Sequence, residues 1–342
     1  MSEKGIYKAK KCGKIMLNAN ESSINISNDI KYELIERIQE IPFNRYPDET
    51  SRELISAYAK VVDVDQNSII AGNGSDEMLG FMIGYFLEKD KNLYTLSPDF
   101  SMYDYYASVQ GANVVKHSTN KDGSFDVDRF IKEGLKNNAD MVLFSNPNNP
   151  TGHCLRKDDL TKIVEVFAPV PVIVDEAYGE FSDVTMIDEI ENFDNLYVTR
   201  TLSKAYGLAG ARIGFLVGNK KNIEVLRKHI VPYNISRLDQ VAGTVVLRHA
   251  DEYKENIKGI CKERDKMYKL LSGLKTLTVY PSKANYIYGR CQNKNRMIKY
   301  LEEEGIVIRT YNDDGFRITV GTKEENELVF KCLQAYDRED LK

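Results

Sequence analysis

Short apolar runs that alternate with helical segments dominate the chain between about residue 50 and residue 230. This alternation predicts an α/β fold whose major domain is a mostly parallel sheet with helices on its faces. Ligands of such sheets bind outside the carboxyl ends of the strands. Four of the turns after strands are polar, glycine-rich or ionisable, so we expect one ligand site along that edge. The predicted strands are Ser68–Ala71, Leu93–Leu96, Ala112–Lys116, Met141–Phe144, Pro171–Val174 and Asn195–Arg200.

The ends of the chain differ from this middle part. Residues 1–28 are polar and predict an N-terminal arm, and residues 29–230 form the predicted major domain. Residues 231–342 begin with a proline-containing linker and continue with a long helical, charge-rich stretch over Leu238–Leu271. Shorter strand-like runs follow, ending in Gly305–Arg309 and Gly315–Val320. These features predict a smaller α+β domain at the C-terminus.

Composition excludes several classes of function. The 342 residues carry a formal net charge of −4 without a basic stripe, so no nucleic-acid partner is expected. The five cysteines form no CxxC pair and the four histidines lack ligand spacing, which favours a reducing cytoplasm and no metal site. The N-terminus lacks the apolar core of a signal peptide, and no apolar run is long enough for a membrane span. The cysteines are Cys12, Cys154, Cys261, Cys291 and Cys332.

A glycine-containing turn, Gly72–Glu77 (GNGSDE), joins a predicted strand to a predicted helix. That order leaves free backbone N–H groups at a helix N-terminus, where they can bind an anion. Ser75 and Asp76 are the candidate residues at this position. An ordinary N-cap by one of the two side chains is the alternative interpretation.

Two further loops carry candidate ligands. Ser145–Gly152 (SNPNNPTG) is too rich in proline and asparagine for a helix or central strand, and its Asn149 could offer an amide to a ligand oxygen. Tyr103 lies in an aromatic cluster at a loop-to-helix junction and could lie flat against a planar ring. A structural turn and a core aromatic residue are the respective alternatives.

The strongest chemical signals follow the last two predicted strands of the major domain. Asp175 and Tyr178 (in DEAY) follow the most apolar strand, and a carboxylate there requires a partner such as a protonated ring nitrogen. Lys204 lies in TLSKAYGLAGARIG, where a poorly solvated lysine could attack a carbonyl, and Arg212 could bind a phosphate. A carbonyl and a phosphate together suggest pyridoxal phosphate (PLP). The alternatives are a turn-capping carboxylate and a loop lysine.

The C-terminal part contributes two candidate arginines, Arg309 and Arg317. Arg317 alternates with Phe316 and Ile318, so we expect it to face inward, where an arginine usually has an anion as its partner. A surface charge is the alternative for Arg309, and an internal salt bridge is the alternative for Arg317.

Taken in order, GNGSDE, SNPNNPTG, DEAY, TLSKAYGLAGARIG and GFRIT resemble the fold-type I PLP-dependent aminotransferases. The N-terminal LNANES (Leu17–Ser22) and NRYPD (Asn44–Asp48) are most similar to the histidinol-phosphate aminotransferase branch. The similarity extends over nearly the whole chain.

The resemblance implies a role for each candidate around the cofactor. Lys204 would be the Schiff-base lysine and the general base that moves a proton between the substrate α-carbon and the cofactor. Asp175 would pair with the pyridine nitrogen. Asn149 and Tyr178 would bind the ring 3′-oxygen, and Tyr103 would stack on the ring.

The resemblance also implies a homodimer with shared active sites. Tyr46 would reach the phosphate of the cofactor bound by the partner subunit. Arg317 would bind the carboxylate of glutamate or 2-oxoglutarate, and Arg309 would be available to a substrate phosphate or a second anion. The residues implied to hold the cofactor phosphate are Ser75 and Asp76, through their backbone N–H groups, together with Ser203 and Arg212.

The expected activity is therefore amino-group transfer between glutamate or 2-oxoglutarate and an amino-acid-like substrate, with histidinol phosphate as the first candidate. An aromatic amino acid is a second possible substrate. The same lysine would also serve a PLP-dependent decarboxylase of a phosphorylated amino acid such as threonine phosphate, which is distinguished by release of carbon dioxide. A catalytically silent PLP-binding protein is the alternative from another class.

Overall fold

The structure is a computed structural model that describes residues 14–340 of the chain. Its larger sheet has seven strands in the order β2-β8-β7-β6-β5-β3-β4. All neighbours are parallel except β8, which runs antiparallel to both β2 and β7. The strands are β2 (Ile69–Asn73), β3 (Asn92–Ser97), β4 (Asn113–Ser118), β5 (Met141–Ser145), β6 (Val172–Asp175), β7 (Leu196–Thr201) and β8 (Ile213–Gly218).

Hydrophobic cores cover both faces of this sheet. Along β5, Met141 and Leu143 belong to one core, whereas Val142 and Phe144 belong to the other. This alternation follows from the two-residue period of a strand, and it explains why the central strands are apolar throughout. The helices that flank the larger sheet are α1 (Asn28–Gln39), α2 (Arg52–Val62), α3 (Gly74–Phe86), α4 (Met102–Gln110), α5 (Val127–Lys136), α6 (Lys157–Phe167), α7 (Lys220–Arg227) and α8 (Arg237–Arg248).

The second sheet has five strands in the order β1-β11-β12-β10-β9. β1 lies at the start of the described chain and pairs in parallel with β11, so the N-terminal segment is attached to the C-terminal sheet. A separate hydrophobic core lies between this sheet and its helices. Its elements are β1 (Ile15–Leu17), β9 (Thr278–Val279), β10 (Tyr286–Arg290), β11 (Ile306–Thr310), β12 (Gly315–Thr319), α9 (Ala250–Leu271), α10 (Lys294–Glu303) and α11 (Lys323–Asp340).

The mostly parallel major sheet and the smaller α+β part are confirmed, but the predicted alternation of strands and helices fails after β7. The chain returns directly into β8 without a helix, because the residues between them form the turn that carries Lys204. The single helix expected over Leu238–Leu271 is two helices that meet at His249. The domain limits at residues 28 and 230 stay predictions. α8 packs against the larger core through Val241 and Val245, and residues 1–13 of the predicted arm lie outside the described chain.

Candidate active site

Lys204 follows the carboxyl end of β7 in a turn that brings its side chain under the N-terminal segment. Its Nζ donates a hydrogen bond to the carbonyl oxygen of Ala19 at 2.8 Å. Burial, together with the nearby positive charge of Arg317, lowers the pKa of Lys204 to about 8. With this pKa, about a tenth of Lys204 is the neutral, nucleophilic amine at pH 7, far more than for an ordinary lysine.

Asp175 is the last residue of β6, and only 3% of it is exposed. Its Oδ2 accepts from the hydroxyl of Tyr103 at 2.8 Å, and its Oδ1 accepts from the hydroxyl of Thr199 at 2.9 Å and from the N–H of Ala177 at 3.2 Å. Burial raises the pKa of Asp175 to about 6, and the hydrogen bonds from Tyr103 and Thr199 oppose that rise. A cationic group beside this carboxylate would compensate for its burial.

The N-terminus of α3 forms a candidate anion-binding cradle with the neighbouring strand β8. Gly72 of β2 pairs with Gly214 of β8, and a Cβ at Gly214 would lie 2.1 Å from the backbone N of Ser75. Only glycine therefore allows β8 to approach the start of α3 this closely. Free N–H groups and the positive end of the helix dipole make this turn suitable for a phosphate.

Arg212 closes the cradle from the β8 side. Its backbone is left-handed, with φ of 49°, and its Nη2 lies 2.6 Å from Oδ2 of Asp76. Its Nη1 donates to the hydroxyl of Ser203 at 3.3 Å. The structure thus brings Ser75, Asp76, Ser203 and Arg212 together, as the sequence predicts.

Arg317 and Asn149 meet where the two sheets face each other. Nη1 of Arg317 donates to Oδ1 of Asn149, and Nη2 donates to the carbonyl oxygen of Asn18 at 3.0 Å. The guanidinium carbon lies 5.1 Å from the centre of the Tyr286 ring, within cation–π range. The prediction that Arg317 faces inward is confirmed, since only 5% of the residue is exposed.

The remaining candidates occupy different positions relative to this group. Tyr178 is buried, and its hydroxyl accepts from Nδ2 of Asn20 at 2.8 Å. Tyr103 is 1% exposed and contacts Asp175 through its hydroxyl, so its ring-stacking role stays a prediction. Arg309 is half-buried opposite Arg317 on the neighbouring strand. Tyr46 is 81% exposed and stacks on Tyr233 with ring centres 4.7 Å apart, away from this group.

Asp99 and Ser145, which the sequence did not single out, form hydrogen bonds that hold the loop of Asn149. Asp99 accepts from the N–H of Phe100 at 2.8 Å and from the N–H and hydroxyl of Ser145, and burial raises its pKa to about 8. The Ser145 hydroxyl in turn accepts from the N–H of Asn149 at 2.9 Å. The sequence indicates Asn20 only as part of the LNANES motif and predicts no role for its side chain. The available signal was a polar residue at or just beyond the end of an apolar strand: Ser145 is the last residue of β5, and Asp99 lies two residues after β3.

The fold and this site together combine a helix N-terminus suited to an anion with an amine of lowered pKa, an arrangement typical of an enzyme. The chain belongs to the aminotransferase class I and II family, whose model matches residues 13–333. The histidinol-phosphate aminotransferase of Clostridium novyi is 37% identical over 334 residues, which cover 96% of this chain and 94% of that protein.

Solved structures agree on the fold. Histidinol-phosphate aminotransferase from Sinorhizobium meliloti, solved in complex with pyridoxal-5′-phosphate, superposes with a TM-score of 0.86 at 23% identity, covering 96% of this chain and 91% of that one. L-threonine-O-3-phosphate decarboxylase from Porphyromonas gingivalis gives a TM-score of 0.80 at 23% identity, covering 94% and 99%. At these identities the likeness concerns the fold alone.

Proposed function

We propose that this chain is a PLP-dependent aminotransferase that moves an amino group between glutamate or 2-oxoglutarate and histidinol phosphate. The observation that carries the proposal is Lys204, an amine of lowered pKa located in the same site as a buried carboxylate and an anion cradle. The relatives that are 33–37% identical over most of the chain are histidinol-phosphate aminotransferases, which supports the choice of substrate.

The residues fit PLP by their chemistry. Asp175 is buried with a raised pKa, and a protonated pyridine nitrogen is the kind of cation that such a carboxylate requires. The phosphate matches the N–H groups of Ser75 and Asp76 and the side chains of Ser203 and Arg212. Asn149 and Tyr178 offer groups to the ring oxygen, and Tyr103 offers an aromatic ring. When bound, PLP supplies an electron sink that stabilises negative charge at the substrate carbon.

The chain's own residues would perform the remaining tasks. Nζ of Lys204, as a neutral amine, would accept the proton from the carbon that bears the substrate amino group and return it during transfer. Asp175 would keep the ring nitrogen protonated. The planar guanidinium of Arg317 suits the carboxylate of glutamate or 2-oxoglutarate, and Arg309, on the neighbouring strand, is suited to the phosphate of histidinol phosphate.

We further propose a homodimer in which each subunit completes the site of the other. Tyr46 is highly exposed and stacks on Tyr233. Phe43, close to Tyr46 in the chain, and Val231, close to Tyr233, are exposed as well, so a second copy of the chain could cover these apolar side chains. Tyr46 of the partner subunit would then reach the cofactor phosphate.

The free thiols of Cys154, Cys261, Cys291 and Cys332 support a cytoplasmic location, while Cys12 lies outside the described residues. Within residues 14–340, no helix has the length and apolarity needed to cross a membrane.

The test is an absorbance titration of the purified PLP-loaded protein with L-histidinol phosphate, followed by 2-oxoglutarate. We expect the visible cofactor band to disappear with the amino donor and to return with the oxoacid. Histidinol phosphate has no carboxylate, so it cannot release carbon dioxide by decarboxylation. Carbon dioxide released from threonine phosphate, without a response to histidinol phosphate, would instead identify a decarboxylase. A response to aromatic amino acids alone would identify an aromatic aminotransferase, and no response to any donor would identify a silent PLP-binding protein.

A further inference from the structure

Asn20 has an unusual backbone and is completely buried. Its φ is 55°, in the left-handed region, and its exposed fraction is 0%. A non-glycine residue keeps such a conformation only where its surroundings hold it in place. Asn20 lies just after β1, in the segment whose carbonyl groups at Asn18 and Ala19 accept hydrogen bonds from Arg317 and Lys204.

The hydrogen bonds of Thr319 fix the orientation of the Asn20 amide. The Thr319 hydroxyl accepts from the backbone N–H of Asn20 at 3.0 Å, and it lies 3.1 Å from Oδ1 of Asn20. The hydroxyl donates its single proton to Oδ1. The Nδ2 group of Asn20 is therefore the one that faces the Tyr178 hydroxyl, at 2.8 Å. Asn285 holds the Asn20 carbonyl oxygen from the other side at 3.1 Å.

This arrangement determines how the Tyr178 hydroxyl is used. Since the phenol oxygen accepts a hydrogen bond from Nδ2 of Asn20, its own proton is available to a different acceptor. A hydroxyl that accepts one hydrogen bond also becomes a stronger donor in the next. Burial raises the pKa of Tyr178 to about 12, whereas Arg317 and the bond from Asn20 act against that rise.

We propose that Asn20 is a positioning residue that keeps the Tyr178 hydroxyl as a donor toward the ring oxygen of the cofactor. This proposal rests on the proposed function, which assigns Tyr178 to that oxygen. Thr319 and Asn285 belong to the smaller sheet region, whereas Tyr178 follows β6 of the larger sheet. Asn20 thus couples the donor hydroxyl to the position of the smaller sheet.

The experiment records the visible absorption band of the PLP-loaded protein as a function of pH, for the wild type and four variants. The pH at which this band changes is the transition that is compared. Tyr178→Phe removes the donor itself and sets the scale, with an expected upward shift of the transition by about one pH unit or more. Asn20→Gly removes the amide while tolerating the left-handed backbone, and we expect an upward shift that is a fraction of that for Tyr178→Phe. Thr319→Val removes the hydroxyl that holds the amide of Asn20 in place, so it should shift the transition in the same direction. The matched control is Asn25→Gly, which alters an exposed asparagine of the same segment and should leave the transition unchanged.

A double variant separates positioning from a general loss of structure. Asn20→Gly combined with Tyr178→Phe should shift the transition no further than Tyr178→Phe alone, because the amide acts through that hydroxyl. The proposal is overturned if Asn20→Gly lowers only the melting temperature and leaves the transition in place, or if the two shifts add. A wild-type protein without a visible PLP band would overturn the proposed function itself. An unmoved transition in Tyr178→Phe, with wild-type turnover intact, would remove only the assignment of Tyr178 and the role of Asn20.

Discussion

Arg309 and Arg317 lie directly opposite each other on the antiparallel strands β11 and β12. Opposed residues of an antiparallel pair share one face of the sheet, and like charges in such positions repel each other. Arg317 is buried, so water screens its charge poorly. Two cations placed this way at the site favour the binding of anionic substrate groups between or beside them.

The first prediction concerns the choice of anion at Arg317. Arg317→Ala should raise KM for glutamate and 2-oxoglutarate by about 100-fold, the effect of losing a bidentate bond to a carboxylate. Histidinol phosphate has no carboxylate, so its KM should change much less. Steady-state kinetics with each substrate tests this. Equal losses for both kinds of substrate would contradict a specific carboxylate role.

The second prediction concerns Lys204. Lys204→Ala should lower turnover by at least about three orders of magnitude, because the variant lacks both the nucleophile and the proton carrier. Some PLP should remain bound, because Asp175 and the cradle around Arg212 are intact. Cofactor content by absorbance after dialysis, together with single-turnover rates, measures both effects. Wild-type rates in this variant would refute the assignment of the whole site.

The third prediction concerns the stability cost of Asp175 without its cofactor. Its pKa is about 6 in the folded protein against 3.8 for an ordinary aspartate, so the folded state binds the proton more tightly. Stability due to this group is therefore complete below about pH 4 and is lost as the pH rises to about 6. Asp175→Asn should stabilise the cofactor-free protein at pH 7.5 by up to about 3 kcal/mol. Melting curves between pH 4 and pH 8 should show the difference growing toward pH 6 and then staying constant; a difference independent of pH would contradict this.

The fourth prediction concerns the close approach of β8 to α3. Gly214→Ala should weaken PLP binding by at least about tenfold, because a Cβ 2.1 Å from the Ser75 nitrogen forces the cradle apart. Gly210→Ala is the matched control, since a Cβ there would meet no heavy atom of the described residues within 4 Å. Equilibrium binding of PLP to both variants is the measurement. Equal affinities for the two would show that the cradle adapts.

The fifth prediction tests whether two subunits share each site. Homodimers of Lys204→Ala and of Tyr46→Ala should each be impaired, the latter through weaker binding of the cofactor phosphate. Co-refolding the two variants should restore activity, because a mixed dimer contains one site with both Lys204 and Tyr46 intact. The expected recovery approaches a quarter of the wild-type value for random mixing. Activity no higher than the mean of the two parents would indicate that each site is formed by one chain.

The motifs of the larger sheet pointed to residues that the structure brings near one another, because each of them lies at the end of a strand or shortly after it. Asp175 ends β6 and Lys204 follows β7, so the position of the strands determines their neighbourhood. The contact between Arg317 and Asn149 could not be predicted, since the two residues are 168 positions apart and meet only through the packing of two sheets. β8 is not among the predicted strands, and its Gly214 allows a close approach to the start of α3 that the local sequence does not indicate.

The position of Asn20 was also beyond local reasoning. Its left-handed backbone and its contacts with Thr319 and Tyr178 depend on residues from both later parts of the chain. The polar motif that contains Asn20 follows a strand of only three residues, which is too short to show a periodic pattern. Such contacts therefore cannot be predicted from it. The order of the motifs indicates the family, whereas the contacts of Asn20 depend on the packing of distant segments.

The pairing of β1 with β11 has a consequence for the order of events during synthesis. The segment that covers Lys204 is translated before the larger sheet, whereas its strand partner, Ile306–Thr310, is translated after that sheet. A growing chain can therefore assemble most of the larger sheet while its active site is still uncovered. The pairing that holds this segment forms only after β11 has been translated, so a translation product that stops before Ile306 would lack it.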